Sequence, residues 1–457
     1  PLMASESDHT AHSLCFSQDK IRPNTVMNQT DATTFANRRF GTGIIMHKGV
    51  STGEDALLQH RSFVAFWLAR TCSSFGFQMF SVAVSWQIYA ITHSAMALGM
   101  IGLMQFLPSV LLALPAGHLA DQFDRRRIVV IGQLIEWAAL LALVALTLMH
   151  WADKIEIWGL VFLIALAKAL EWPAITSMLP ALVPPSILAR AMAASSVGGQ
   201  AAVIVGPTLG GLLYVAGPEV VYGVSALFYL LSLILVSRLR YERPPQERMP
   251  MTLSNMFMGV RFIRERKDVL GVISLDLFAV LLGGATALLP IFAQDILHTG
   301  PWGLGLLRGA PSVGALLVGV WLSRNKLEKH VGMIMFGSVA GFGLATLLFA
   351  LSTKLWLSLL ALAALGGFDM VSMVIRGALV QLDTPDTMRG RVNAVNAIFI
   401  NTSNQLGEFE SGLLAAWMGA VPAAVIGGVG TLVVVGLWMT LFPNLRKRQK
   451  LENETVG

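Results

Sequence analysis

The chain has 457 residues, of which 54% are hydrophobic and 13% charged, with a formal net charge of +6. Ordinary soluble domains carry about 25% charged residues, so this composition excludes an ordinary soluble fold and points to a polytopic membrane protein. Its two cysteines, Cys15 and Cys72, exclude a disulfide framework, and no Cys/His spacing suits zinc, so neither a metal nor a cofactor is expected.

In chain order, residues 1–58 are polar and lack the apolar core of a signal peptide, which predicts a disordered N-terminal tail. The chain begins with Pro1, and Met27 and Met46 are candidate initiators. Apolar runs follow that are long enough to cross a ~30 Å hydrocarbon core as helices. They predict spans at 61–91, 98–118, 128–150, 155–179, 187–213 and 218–237, then at 268–291, 302–322, 332–352, 355–380, 391–416 and 420–442. No alternating ten-residue segments of the β-barrel kind appear. The expectation is an all-α membrane protein with twelve transmembrane helices.

The connections sort by charge. One set holds 21 Lys/Arg, including Arg125, Arg126 and Arg127, eight in 238–267 and four in 446–450, whereas the other holds only Lys154 and Lys354. The positive-inside rule places the basic set and both termini in the cytoplasm. The same pattern accounts for the basic pI without a nucleic-acid partner.

The charged connection 238–267 divides six spans from six. An offset of 201 carries ILARAMA at 187–193 onto MRGRVNA at 388–394, and Gly211 onto Gly412. An offset of 206 carries Leu98-Gly99 onto Leu304-Gly305. These ordered matches predict two pseudo-symmetric six-helix bundles, 59–237 and 268–442, with a cytoplasmic central loop at 238–267 and a basic tail at 443–457. A substrate site is expected near the midplane between them.

Residues 117–127 read GHLADQFDRRR, in the loop after the second span. Gly117, Leu119, Asp121, Arg125 and Arg126 resemble the loop signature of the major facilitator superfamily, with Gln122 and Asp124 departing from it. The resemblance implies a gating brace; a plain cytoplasmic anchor is the alternative. GPTLGG at 206–211 resembles the end of a motif of proton-coupled antiporters in that superfamily, through Gly206, Pro207, Gly210 and Gly211. Small-residue packing is its alternative reading. TPDTMRGRVNAV at 384–395 resembles the loop between helices ten and eleven of the enterobactin-exporter and macrolide-efflux branch (drug:proton antiporter type 3). That resemblance covers roughly 61–445 and implies a bacterial inner-membrane exporter.

Charges inside the spans are costly and usually face a cavity or a partner. The basic ones are Arg70, Lys168, Arg308 and Arg376; the acids are Glu136, Glu171, Asp276, Asp369, Glu408 and Glu410, with Asp295 near an end. Repeat offsets relate Arg70 to Asp276 and Lys168 to Asp369, and the resemblance places their helices around the central cavity. Two cross-bundle couples are therefore expected, one at an inner gate and one at the midplane. The alternatives are a snorkelling Arg70 and a Lys168 neutralised by Glu171 three residues on. Asp369 and Arg376 share a face but lie ~10 Å apart by helix rise, which predicts no direct contact. Arg308 reads as an interface anchor and Glu136 as a packing residue. Trp86 and Tyr89 are candidates for a pocket or for an aromatic belt.

Glu408 and Glu410 stand ~200° apart on their helix. Glu408 shares a stripe with Asn401, Asn404 and Ser411, which marks it as the cavity-facing group. The functional expectation is a monomeric secondary active transporter that exports small amphipathic molecules, drug-like or siderophore, by alternating access on the proton gradient. An importer or sensor on the same fold is the alternative. No nucleotide loop or nucleophile–base pattern supports an enzyme, and no catalytic residues are expected.

Overall fold

The computed structural model describes residues 57, 59–239, 253–325 and 329–451. The expected N-terminal tail apart from residue 57, all of PPQERMPM at 244–251 and the last six residues lie outside them. Among the described residues all regular structure is helical. The membrane-length helices are α1 (Arg61–Thr92), α2 (Ala95–Leu111), α3 (Arg125–Leu148), α4 (Lys154–Leu182), α5 (Leu188–Leu213), α6 (Pro218–Ser237), α7 (Lys267–Leu282), α8 (Pro301–Arg324), α9 (Val331–Ala350), α10 (Leu355–Leu382), α11 (Asp386–Met418) and α12 (Ala420–Leu441).

Eight spans among the described residues are long and apolar enough to cross a bilayer by those criteria alone. Of the rest, α2 is short, while α1, α4 and α11 carry the polar side chains discussed below. Helix starts follow local chemistry. The Ser94 hydroxyl accepts from the Ala97 N–H at the head of α2, and the Asp124 carboxylate from the Arg126 N–H at the head of α3. Gly217 and Gly419, at φ 118° and 92°, reverse the chain before α6 and α12, in backbone that side-chain-bearing residues avoid.

Packing follows the twofold pattern of the repeat. In the first half α1 packs on α5 and α6, α3 on α4 and α6, and α2 on α4. In the second half α7 packs on α11 and α12, α9 on α10 and α12, and α8 on α10. The halves meet where α2 crosses α11 and where α5 crosses α8. Without water to expel, membrane helices associate by close packing of small residues. A Cβ on Gly412 would come within 2.5 Å of the Gly99 Cα, and one on Gly211 within 3.0 Å of the Gly305 Cα. These four glycines are those that the internal repeat matches. They sit toward the end of the molecule opposite the arginine-rich loops, called here the far end.

Three expected elements differ. The seventh span is not one helix: α7 stops at Gly283-Gly284, continues as a 3-10 turn at Ala285–Leu288, and ends in a π-helical turn at Phe292–Ile296. A Cβ on Gly284 would lie 2.6 Å from the Gly407 carbonyl, so α11 packs closely on the break and leaves no room for a side chain there. Irregular backbone at such depth is tolerated where protein or a cavity surrounds it. The loop expected at 238–267 contains a helix, Leu253–Glu265, whose Ile263 is buried and whose Gly259 touches the backbone of α11. The basic tail expected at 443–457 docks over 443–451. Leu445 is fully buried, the Gly332 N–H donates to the Arg448 carbonyl, and Arg448 forms a two-pronged ion pair with Asp383 at 2.5 and 2.8 Å.

A side chain at a crossing glycine must push two backbones apart, whereas Gly436 on α12 faces open space. Gly412→Val is expected to cost about 1–3 kcal/mol of packing and to lower the thermal midpoint of the purified protein by several degrees. Gly436→Val is expected to leave it unchanged, both read by thermal unfolding in detergent.

Candidate functional site

The site lies between the halves, on the side of the glycine crossings nearer the arginine-rich end. A cavity of about 560 Å³ is walled by α1, α2, α4 and α11. Its apolar lining includes Phe77, Phe80, Ile164 and Trp172; Gln105, Lys168, Asn401 and Gln405 supply polar groups. A second cavity of about 260 Å³ adjoins it at Phe77 and Gln105, and is lined by Ser81, Ser85, Pro207, Thr286, Arg308 and Glu408 among others. Thr286 belongs to the broken part of α7, so the break forms wall.

The sharpest feature is Arg308. It stands on α8 in the second half and crosses to α1 in the first, donating from Nη1 to Ser81 Oγ at 2.5 Å and from Nη2 to Ser85 Oγ at 2.8 Å. Glu408 on α11 lines the same small cavity. Among the described residues, the buried Arg308 Nε–H donates to no protein group and the buried Gln405 Oε1 accepts from none. One guanidinium, one carboxyl and two uncommitted polar atoms thus face the space between the halves. Arg308 is no interface anchor, as its sequence position suggested. It lies one turn beyond Gly305, which packs on Gly211, and α8 turns it inward at that depth.

The expected cross-bundle couples are not formed. Arg70 donates to Ser195 Oγ at 3.1 Å, with its guanidinium 5.9 Å from the Trp172 ring centroid. Asp276 ion-pairs instead with Arg376, and Arg376 also reaches Asp369 at 3.4 Å. The prediction that Asp369 and Arg376 are too far apart fails because the arginine side chain leans toward the N-terminus of its helix, so that the two side chains together bridge the ~10 Å rise between their backbones. Lys168 meets no aspartate; its Nζ lies 3.7 Å from the Phe77 ring centroid and faces the large cavity. The pseudo-twofold fixes equal depth, but the nearest partner within one half wins over the symmetric one across the cavity, since Coulomb attraction falls with distance.

The two glutamates of α11 separate. Glu408 lines the small cavity, whereas Glu410 accepts at 3.4 Å from the neighbouring Ser411 hydroxyl. By the 201 offset Glu408 is the counterpart of Pro207, and both line the same cavity from opposite halves. The other motif residues are structural contacts. Gly206 and Gly210 bring α5 onto Gln78 and Met79 of α1, and Gly211 brings it onto α8. Gly117 falls in a helical segment, Ala113–Gln122, rather than in the expected loop; Asp124, where glycine is usual, instead caps α3. The Asp121 side chain lies outside the described part. Arg125 is buried and donates from Nη1 to the Ser177 carbonyl at 3.0 Å. Arg126 donates from Nε to the Val236 carbonyl at 3.2 Å. The two arginines cap the ends of α4 and α6 and tie three helices of one half together.

Two features escaped sequence reasoning. Trp86 packs in the core against Tyr214 rather than lining a pocket. Tyr89 donates to the Asp295 carboxylate, joining α1 to the π-helical turn after α7 at the far end. Their separation of 206 residues equals the repeat offset, which is a signal that could have found this contact.

Two six-helix halves around a central cavity, with a discontinuous helix in its wall, define a membrane transporter rather than an enzyme. The chain belongs to the major facilitator superfamily, in its transmembrane secretion effector family, whose profile matches residues 52–455. It is 26% identical over 392 residues to the enterobactin exporter EntS of Citrobacter koseri, covering 86% of this chain and 94% of that one. Among solved structures it resembles a bacterial homologue of the human lysosomal transporter Spinster, inward-facing and unoccupied, at 15% identity and TM-score 0.64, covering 85% and 96% of the two chains. It also resembles the nucleoside transporter NupG, at 14% identity and TM-score 0.63, covering 83% and 99%. These likenesses carry the fold.

Asp276 is buried, and the side chains of Arg376 and Asp276 are each only 12% exposed. Removing one partner strands the other charge, at a cost on the order of 3–5 kcal/mol. Arg376→Met is therefore expected to lower the thermal midpoint sharply. Asp276→Asn combined with Arg376→Met is expected to recover most of the loss, read by the same unfolding assay.

Proposed function

We propose that the protein is a proton-coupled exporter of small amphipathic molecules that works by alternating access across a bacterial inner membrane. The observation that carries this reading is Arg308, which bridges the two halves through Ser81 and Ser85 beside Glu408, in a cavity where the halves must part for a substrate to move. The basic loops, with both termini, face the cytoplasm by the positive-inside rule. The large cavity then lies toward the cytoplasm, while the glycine crossings and the Tyr89–Asp295 hydrogen bond close the periplasmic end.

Mostly apolar walls with a few convergent polar groups suit an amphipathic ligand. Lys168 and Arg308 favour one that presents an anionic or electron-rich oxygen. A siderophore of the kind its relatives are named for fits this chemistry, and so does a macrolide-like drug. Coupling follows from competition at Glu408, which lines one cavity with Arg308. With Glu408 ionised, its carboxylate accepts from a substrate hydroxyl while the Arg308 guanidinium holds a substrate oxygen. A proton reaching Glu408 from the acidic side removes that acceptor and releases the substrate; losing the proton to the cytoplasm restores it.

The test is uptake of enterobactin and of a macrolide into everted membrane vesicles with an acidic lumen. Transport is expected to collapse with a protonophore. Glu408→Gln is expected to cut gradient-driven accumulation at least tenfold, about 1.4 kcal/mol in driving terms, while substrate exchange between equal pH on both sides persists. Accumulation that ignores the protonophore, or an unaltered pH profile in Glu408→Gln, would overturn the reading.

A further inference from the structure

Away from the cavities, the first half buries a second acidic centre. Glu136 on α3 is fully buried and lies beside Glu171 on α4, which is 6% exposed. Glu171 accepts one hydrogen bond, from Gln133 Nε2 at 2.9 Å, and the Gln133 carbonyl oxygen is held in turn by the Ser232 hydroxyl at 3.1 Å. Gln133 is therefore fixed as a donor toward Glu171, and Glu136 takes nothing from it. Among the described residues, neither oxygen of Glu136 receives a hydrogen bond, and the buried Tyr229 hydroxyl nearby has no partner either. A Cβ on Gly132 would stand 3.4 Å from the Glu171 Cβ, so this stretch of α3 lies against the turn of α4 that carries Glu171.

The charged groups around the pair are few. Lys168, three residues before Glu171 on α4, is committed to the Phe77 ring and the cavity. Arg70 of α1 stacks over Trp172 and binds Ser195. Tyr229 comes from α6. Among the described residues no cation lies within ion-pair distance of either glutamate. Two adjoining carboxylates buried without a cation cannot both stay ionised. A proton between them removes the repulsion and gives the pair the hydrogen bond the protein does not supply, with the Glu136 O–H donating to Glu171.

We propose that Glu136 and Glu171 form a proton-binding site inside the first half, and that Lys168 reports its charge to the cavity. With one proton held, the pair carries a single negative charge and Lys168 stays on Phe77, available to an anionic group in the cavity. When that proton leaves to cavity water, the pair becomes doubly negative. It then draws the Lys168 ammonium along the same face of α4 toward Glu171. Loading of the acid pair thus coincides with presentation of a cation in the pathway, and unloading with its withdrawal. This role differs from that of Glu408, which meets substrate beside Arg308 from the second half. It rests on the cavity being a transport route only for its consequence; the site itself is tested without substrate.

The measurement is infrared difference spectroscopy of the purified protein in lipid at neutral pH. Wild type minus Glu136→Gln is expected to show the loss of a protonated carboxyl band. Wild type minus Glu171→Gln is expected to show the loss of carboxylate bands with the protonated band retained. Lys168→Met removes the nearest cation and is expected to make the protonated band persist to more alkaline pH by about one pH unit or more. Carboxylate bands alone in both glutamate differences would mean that the pair holds no proton, and would overturn the site. An unchanged titration in Lys168→Met would overturn the link to the cavity. Should Glu136→Gln fail to fold, the Glu171→Gln spectrum and the Lys168→Met titration still decide. Failure here would leave the pH-gradient dependence of transport standing, and a gradient-independent transporter with an intact protonated band would separate the two in the other direction.

Discussion

The close contact of glycine backbones at the two crossings, α2 on α11 and α5 on α8, is the constraint on which the remaining geometry depends. Lipid offers helices no hydrophobic reason to associate, so the halves adhere chiefly where their backbones can approach. Gly99 with Gly412, and Gly211 with Gly305, supply that approach at one end. Side chains as large as Phe77, Phe80 and Trp172 occupy the other, and there the helices stand apart around a cavity. Glycine crossings at one end and bulkier side chains at the other therefore make a space closed at one end.

The same crossings place the charges. Gly305 sets α8 against Pro207 and Thr208, and Arg308, one turn along, is carried to Ser81 and Ser85. Gly102 admits the Glu408 Cβ from α11, so the carboxyl enters the same small cavity from the other side. Charge in a bilayer must be compensated nearby. The second half does this internally, with Arg376 serving both Asp276 and Asp369. The first half leaves two acids to each other. This asymmetry between halves of common plan gives the molecule distinct places for a proton and for a cation facing substrate.

The outer layer at the arginine-rich end serves rigidity. Arg125 and Arg126 bind carbonyls at the ends of α4 and α6, the Leu253–Glu265 helix lies on α11, and the C-terminal segment locks onto α9 and α10 through Leu445 and the Arg448–Asp383 pair. Each contact stays within one half. Motion between halves can leave all of them intact, whereas it must break Tyr89–Asp295 and the Arg308 bridge.

By itself the sequence determined the class of protein, the number of helices and the duplication, because these follow from composition, from apolar run length and from matches such as Gly211 with Gly412. It also singled out Glu408 over Glu410 from the polar stripe of α11, since helix periodicity alone decides which residues share a face. It could not decide partners. Asp276 with Arg376, Arg308 with the α1 serines, and Glu136 with Glu171 are choices made between helices, and they depend on rotation and spacing that only tertiary packing fixes. The break in α7 belongs to the same class: Gly283-Gly284 permits it, and only the folded structure shows Gly407 of α11 set against it. Symmetry read along the chain gave equal depths, and contact distance across the fold selected which charges meet.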